Sequence, residues 1–158
     1  MSIKTKTPNL LEDRQVPVQA KLAAAWTSFM FLYLYVDILN FFKPGVINEI
    51  LAGKVFVFDI SPTLLTVFLV SVSIPALMVA LSMVLPARAS RTTNLIVASL
   101  YIPYTMFNAS GESWDWAFFY GISIGLEVLL LAYILYSAWR LNRIPALPAD
   151  PVSTGLRV

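Results

Sequence analysis

The sequence predicts an all-α membrane protein: a four-helix transmembrane bundle, up-down-up-down, with a short interfacial helix in the first external loop. Three observations predict it. Of the 158 residues, 58% are hydrophobic and only 13% are charged, whereas a water-soluble domain sits near ~45–50% and ~25%. Apolar runs recur at about the 20 residues a helix needs to cross hydrocarbon. Lysine and arginine gather in alternate connections, as the positive-inside rule requires of a chain that crosses the membrane repeatedly.

Residues 1–19 (MSIKTKTPNLLEDRQVPVQ) are polar, and Pro8 and Pro17 keep them from forming a long helix. They read as a cytoplasmic N-terminal segment. The first span is placed at about 20–42, within KLAAAWTSFMFLYLYVDILNFF. It is too long for the roughly 7–15-residue apolar core of a cleavable signal peptide, and no small-x-small site follows it. Lys43-Pro44-Gly45 ends it, since proline cannot continue a helix and glycine bends freely. In residues 44–60, Val46, Ile47, Ile50 and Leu51 share one face of a short interfacial helix, with Gly53 as its terminating residue. Val55 to Phe58 is expected to be extended.

Ser61-Pro62 reads as N-cap and first helical residue of a second span at about 61–85. Pro75 lies near its middle and deprives the Ser71 carbonyl of its helical donor. A basic loop at 86–91 leads to a third span at about 92–110, where Asn94, Tyr101, Thr105 and Asn108 make one face polar. After a turn at Gly111, Ser113 is expected to cap a fourth span at about 114–139. There Gly121 and Gly125 have the spacing that lets another backbone approach, within the protomer or in a homo-oligomer. Residues 140–158 read as a flexible cytoplasmic tail. Trp26, Trp114, Trp116 and Trp139 lie near span ends, where the headgroup level suits indole.

Lys4, Lys6, Arg14 and Lys21 precede the first span, Arg88 and Arg91 lie between the second and third, and Arg140, Arg143 and Arg157 follow the fourth. Only Lys43 and Lys54 fall on the other side. Both termini are therefore expected in the cytoplasm.

Cysteine and histidine are absent. That removes disulfides, thiol redox chemistry, thiolate- or imidazole-bound metals and histidine general bases. No cofactor is called for, the small net charge gives no nucleic-acid reading, and no nucleophile–base pair or metal-ligand cluster suggests an enzyme. Two acids, Asp37 and Glu127, fall inside predicted spans, where an ionisable group costs at least ~2.5–3.5 kcal/mol on insertion scales. Asp37 lies about 8 Å below the outer end of its helix at ~1.5 Å per residue, and Glu127 lies near mid-membrane. Apart from Lys21 at the cytoplasmic edge of the first span, no lysine or arginine shares a span with them. They are then neutral and hydrogen-bonded, bound to a cation, or reached by water. Trp26, Met30, Tyr33 and Asp37 share one helical face, and Trp116, Tyr120, Ser123 and Glu127 another. The candidate ligand-binding or proton-linked set is Asp37, Glu127, Tyr33, Tyr101, Tyr104, Asn108, Tyr120 and Ser123. Glu112 and Asp115, at the outer turn, could attract cations, with capping and solvation as the favoured account.

The stretches LEDR (11–14), KLxxxWxSxMFLYxYxD (21–37), ILAG (50–53), LPARxxR (85–91) and GExW (111–114) resemble a family of small bacterial four-helix membrane proteins catalogued as a domain of unknown function. The resemblance spans about 11–143. It implies a bacterial inner-membrane location and supplies no activity and no site residues. A looser similarity to DoxX-like four-helix proteins rests on helix count and size. The residues favour a small membrane protein that binds or moves a small apolar or cationic molecule, a lipid or a proton. The alternative is a structural or accessory subunit that docks to a membrane partner through its helices.

Overall fold

Proline sets where three of the helices begin. In the computed structural model, which describes residues 16–108, 110 and 112–141, α1 (Val18–Asn40) follows Pro17, α3 (Pro62–Val84) starts on Pro62, and α4 (Ala87–Phe107) follows Pro86. The fixed φ of proline suits a first turn, and its missing N–H would have had no intrahelical partner there. Ser61 caps α3 as its sequence predicts, its Oγ accepting from the Leu64 N–H at 3.1 Å. The last long helix, α5 (Ala117–Arg140), is entered through a single turn of 3-10 helix at Trp114–Trp116. Ser113 makes no side-chain cap bond there. The approach is too tight for an α-helical cap, and the Trp116 N–H is taken by the Ser113 carbonyl at 3.0 Å.

Between α1 and α3 lies α2 (Val46–Leu51), the short helix expected from its apolar face. Gly45 and Gly53 flank it at φ +93° and +79°, a backbone region closed to most side chains. Two short antiparallel strands follow, β1 (Lys54–Val55) and β2 (Phe58–Asp59), with Lys54 opposite Asp59. The expected extended stretch is thus a hairpin folded at Phe56-Val57. Phe56 has φ +54° and is the sole non-glycine residue with positive φ among those described.

The protein is mostly helical, and three of its helical segments are long and apolar enough to cross a membrane: Val18–Asn40, Pro62–Val84 and Trp114–Arg140. The third span expected from the sequence departs from that criterion. Its helix starts at Ala87, so the predicted basic loop at 86–91 is instead its first turn. Ala-Arg-Ala is good helix-forming sequence once Pro86 has set the start. The arginines and the buried polar face of α4 dilute its apolar character.

Helix α1 packs on α3 and α5, and α4 packs on α5 and more lightly on α3. Leu22, Trp26 and Phe29 of α1, Met78 of α3, Ala98 and Tyr101 of α4, and Leu131 and Ile134 of α5 form the core. Trp26 is fully buried inside the protein, so its indole is not a surface anchor. Its ring meets Phe29 edge-on at 5.7 Å and Tyr101 at 6.3 Å. Leucines, valines and phenylalanines line much of the exterior, including Leu65, Val67, Leu69 and Val70 of α3, while Asn94, Thr105, Ser123 and Glu127 are buried. Apolar outside with polar inside suits a lipid solvent. Gly121 and Gly125 are exposed on α5, and a Cβ added at either would meet nothing within 4 Å among the described residues. The close approach their spacing permits is not made within the protomer. The segment LEDR (11–14), the tail from 142 onward, and Ala109 and Gly111 of the predicted turn lie outside the described residues.

Candidate functional site

Proline leaves two carbonyls on α3 without a helical donor, and side chains of α4 supply both. Pro75 frees the Ser71 carbonyl, which accepts from the Tyr101 hydroxyl. Pro86 frees the Ser82 carbonyl, which accepts from Ser90 Oγ at 3.3 Å. Asn94 completes the second junction. Its Oδ1 accepts from Trp26 Nε1 at 2.7 Å and from Ser82 Oγ at 3.2 Å, and its Nδ2 donates to the Ser90 carbonyl at 2.7 Å. This closed, buried network ties α1, α3 and α4 together near the end that carries Arg88. The same end holds Gln19, bonded to the Leu85 carbonyl at 2.9 Å, and the Arg91 guanidinium, 5.0 Å over the Trp139 ring. Arg91 Nε is buried without a hydrogen bond among the described residues, but within the Asn94 network each polar group has found a partner, and such a network holds structure.

The opposite half of the helices is different. Glu127, on the buried face of α5, is 4% exposed. Its one hydrogen bond among the described residues comes from Thr105 Oγ1, at 2.5 Å. Asp37 of α1 lies close enough for its charge to act on Glu127, on Tyr33 and on Tyr120. It is itself exposed at the protein surface, with no hydrogen-bond partner among the described residues. Asp37 is therefore at the protein surface and Glu127 in the interior. Tyr33 and Tyr104 meet each other through a hydroxyl–hydroxyl contact of 3.2 Å. Asn108, the C-cap of α4, is exposed near Tyr33. Ser123 is buried but bonds its own helix, donating to the Tyr120 carbonyl at 3.0 Å. Tyr101, spent on Ser71, belongs to the helix junction more than to this region.

One cluster here is absent from the sequence-level set. Lys43, just past α1, reaches Glu112 Oε2 at 2.5 Å, with side-chain exposures of 11% and 14%. Glu112 is not a solvated carboxylate but half of a nearly enclosed ion pair. The ammonium also donates to Tyr120 Oη at 3.2 Å and lies 5.3 Å from the Trp116 ring centroid and 5.1 Å from that of Tyr120. The Tyr120 hydroxyl faces Glu112 Oε1 at 2.8 Å and Asn40 Oδ1 at 3.1 Å. With one proton it serves one acceptor at a time, and the charged one is favoured. Asn40 lies three residues after Asp37 on the same helical face, which was a readable signal. Lys43 was read as part of a helix stop and as one of two basic residues on the outer side, and not as a site residue, because its partner is remote in sequence. An open groove leaves this cluster along α5, lined by Glu112, Trp114, Ala117, Tyr120, Gly121 and Ile124.

No curated protein and no solved structure matches the chain, and a likeness to DoxX-like proteins is not shown. Residues 12–145 match a family of unknown function, DUF6326. That match takes in all the long helices and both polar regions, and the chain belongs to this family of unknown function.

Proposed function

We propose that the chain is an inner-membrane protein of four spanning helices, up-down-up-down, that binds or moves a small molecule, a lipid or a proton through the Asp37–Glu127 region. Helix α4 is the fourth span. Its 21 residues rise about 32 Å, enough for hydrocarbon ~30 Å thick, and its polar face is turned into the protein. Lys21, Arg88, Arg91 and Arg140 lie at one end and are the cytoplasmic set.

The observation that carries the reading is Glu127: a buried acid with one hydrogen bond from Thr105 and a second acid, Asp37, within electrostatic reach. Neither has a basic partner among the described residues, where the ion pair is Lys43–Glu112. The completed Asn94 network shows how this chain satisfies polar groups that serve structure alone. The test replaces both acids, Asp37→Asn and Glu127→Gln, in protein reconstituted with native lipid. Thermal stability against pH, retained small molecules by mass spectrometry, and proton flux into dye-loaded vesicles are compared. The reading predicts a change in retained molecules or flux. If all three measurements match wild type, it is wrong.

A second reading, an accessory subunit that docks through its helices, is favoured by the open face at Gly121 and Gly125. A monomer without co-purifying protein, on native mass spectrometry from mild detergent, would count against it.

A further inference from the structure

The seat that Lys43 occupies has the chemistry of a ligand site. A primary ammonium sits between two aromatic rings and a carboxylate, sharing N–H groups with Glu112 and Tyr120. Aromatic faces and a carboxylate are what recognises organic ammonium groups. The occupant is tethered by turns at both sides. Lys43 lies in the irregular stretch between α1 and Gly45, whose φ is +93°, and Glu112 lies between α4 and the 3-10 turn.

The groove supplies the second half of a site. It starts at Glu112 and Tyr120 and runs along α5 past Gly121 to Ile124. Gly121 keeps it shallow and unobstructed, since no described atom lies within 4 Å of where its Cβ would stand. It opens on the exterior of α5, where Phe118 and Ile122 are exposed apolar residues that suit contact with lipid.

We propose that this seat and groove bind a bilayer phospholipid with a primary-ammonium, zwitterionic headgroup. The lipid ammonium replaces that of Lys43 at Glu112, Trp116 and Tyr120. The released Lys43 ammonium pairs with the lipid phosphate, and an acyl chain lies over Gly121. The exchange inserts one zwitterion into an existing ion pair, so each charge keeps an opposite partner. A quaternary ammonium head fits less well, because it has no N–H for Glu112 or Tyr120. An anionic head without an amine leaves Glu112 unpaired. This inference rests on the proposed function only in treating this half of the molecule as a ligand site. The seat shares Tyr120 with the Asp37–Glu127 region, but its hydrogen bonds and ring contacts among the described residues come from Lys43, Glu112, Asn40, Trp116 and Tyr120.

The test uses the full chain in nanodiscs that hold phosphatidylethanolamine, phosphatidylcholine and phosphatidylglycerol with identical acyl chains. Retained lipid is counted by native mass spectrometry. Wild type is expected to retain phosphatidylethanolamine over either competitor by about tenfold, the equivalent of one charge-assisted hydrogen bond. Glu112→Gln is expected to lose that preference. Gly121→Leu fills the groove where nothing would clash and should also lose it, which keeps the test valid if Glu112→Gln fails to fold. Leu77→Ala, on the exposed face of α3, should keep it, and because the readout is headgroup preference and not proton flux, failure here and failure of the Asp37–Glu127 reading give different results. Equal retention of the three lipids by wild type, or a preference that survives Gly121→Leu, overturns the proposal. So does displacement of the lipid by decylamine with no regard to headgroup, which would mark a general amine site.

Discussion

Replacing Tyr101 by phenylalanine removes one hydroxyl and tests how α3 tolerates its central proline. The ring contacts stay: centroids 5.3 Å from Tyr104, 5.9 Å from Phe29 and 6.3 Å from Trp26. What is lost is the donor to the Ser71 carbonyl, which Pro75 has deprived of its helical partner. A buried carbonyl left unpaired costs about 1–3 kcal/mol in water-soluble proteins. Interhelical hydrogen bonds in membranes average nearer ~0.6 and reach ~1.7 kcal/mol. Ser71 is half-buried, so the expected loss is about 1 kcal/mol. The informative experiment is a double-mutant cycle with Pro75→Ala. Alanine at 75 restores a backbone N–H to the Ser71 carbonyl, and in that background Tyr101→Phe should cost less than about 0.5 kcal/mol. Pro75 is buried, so Pro75→Ala carries a packing cost of its own, which the cycle cancels. Reversible unfolding in mixed micelles, followed by tryptophan fluorescence, gives the four free energies. If Tyr101→Phe costs the same in both backgrounds, the hydroxyl serves something other than Ser71, and Tyr101 returns to the candidate site.

Other substitutions probe the remaining junctions by the same assay. Asn94→Ala should destabilise by about 2–4 kcal/mol, because it strands the fully buried Trp26 indole N–H and leaves a cavity; a loss under about 1 kcal/mol would show that the network is not holding α1 to α4. Phe56→Gly should stabilise by roughly 0.5–1 kcal/mol, since a left-handed φ strains a non-glycine residue by ~1–2 kcal/mol and glycine returns part of that through a more flexible unfolded chain. A fall in stability would mean that the exposed Phe56 ring contributes more than its backbone strain costs.

Local features were the readable ones. Ser61 with Pro62, Gly53 after α2, and the carbonyl freed by Pro75 follow from backbone rules that act over a few residues, and the structure shows each of them. The polar face of α4 was legible from its spacing, and Asn94, Tyr101 and Thr105 are all buried. Where α4 begins was misread, because charged residues were taken as a loop when they form a good helical turn behind Pro86. Trp26 was misread because its near-terminal position suggested a headgroup anchor, while Asn94 on another helix holds its indole inside. For the candidate site, the two acids stood out by composition alone. Their unequal surroundings, Asp37 exposed and Glu127 buried, depend on how α1 and α5 are rotated about their axes, and no pattern within either helix sets that.

The sequence by itself determined that the chain carries helices long and apolar enough to cross a membrane, where α1, α2 and α3 start, and that two acids fall inside its apolar runs. Those are consequences of composition, of proline and glycine dihedrals, and of the length of apolar runs. Only the tertiary structure decided which polar groups meet. It gave Tyr101 to Ser71, Asn94 to Trp26, Thr105 to Glu127, and Lys43 to Glu112 across 69 residues of sequence. Such pairings are set by the azimuth and depth at which helices pack. Those come from the fit of many side chains at once, and leave no trace in the spacing of any one segment.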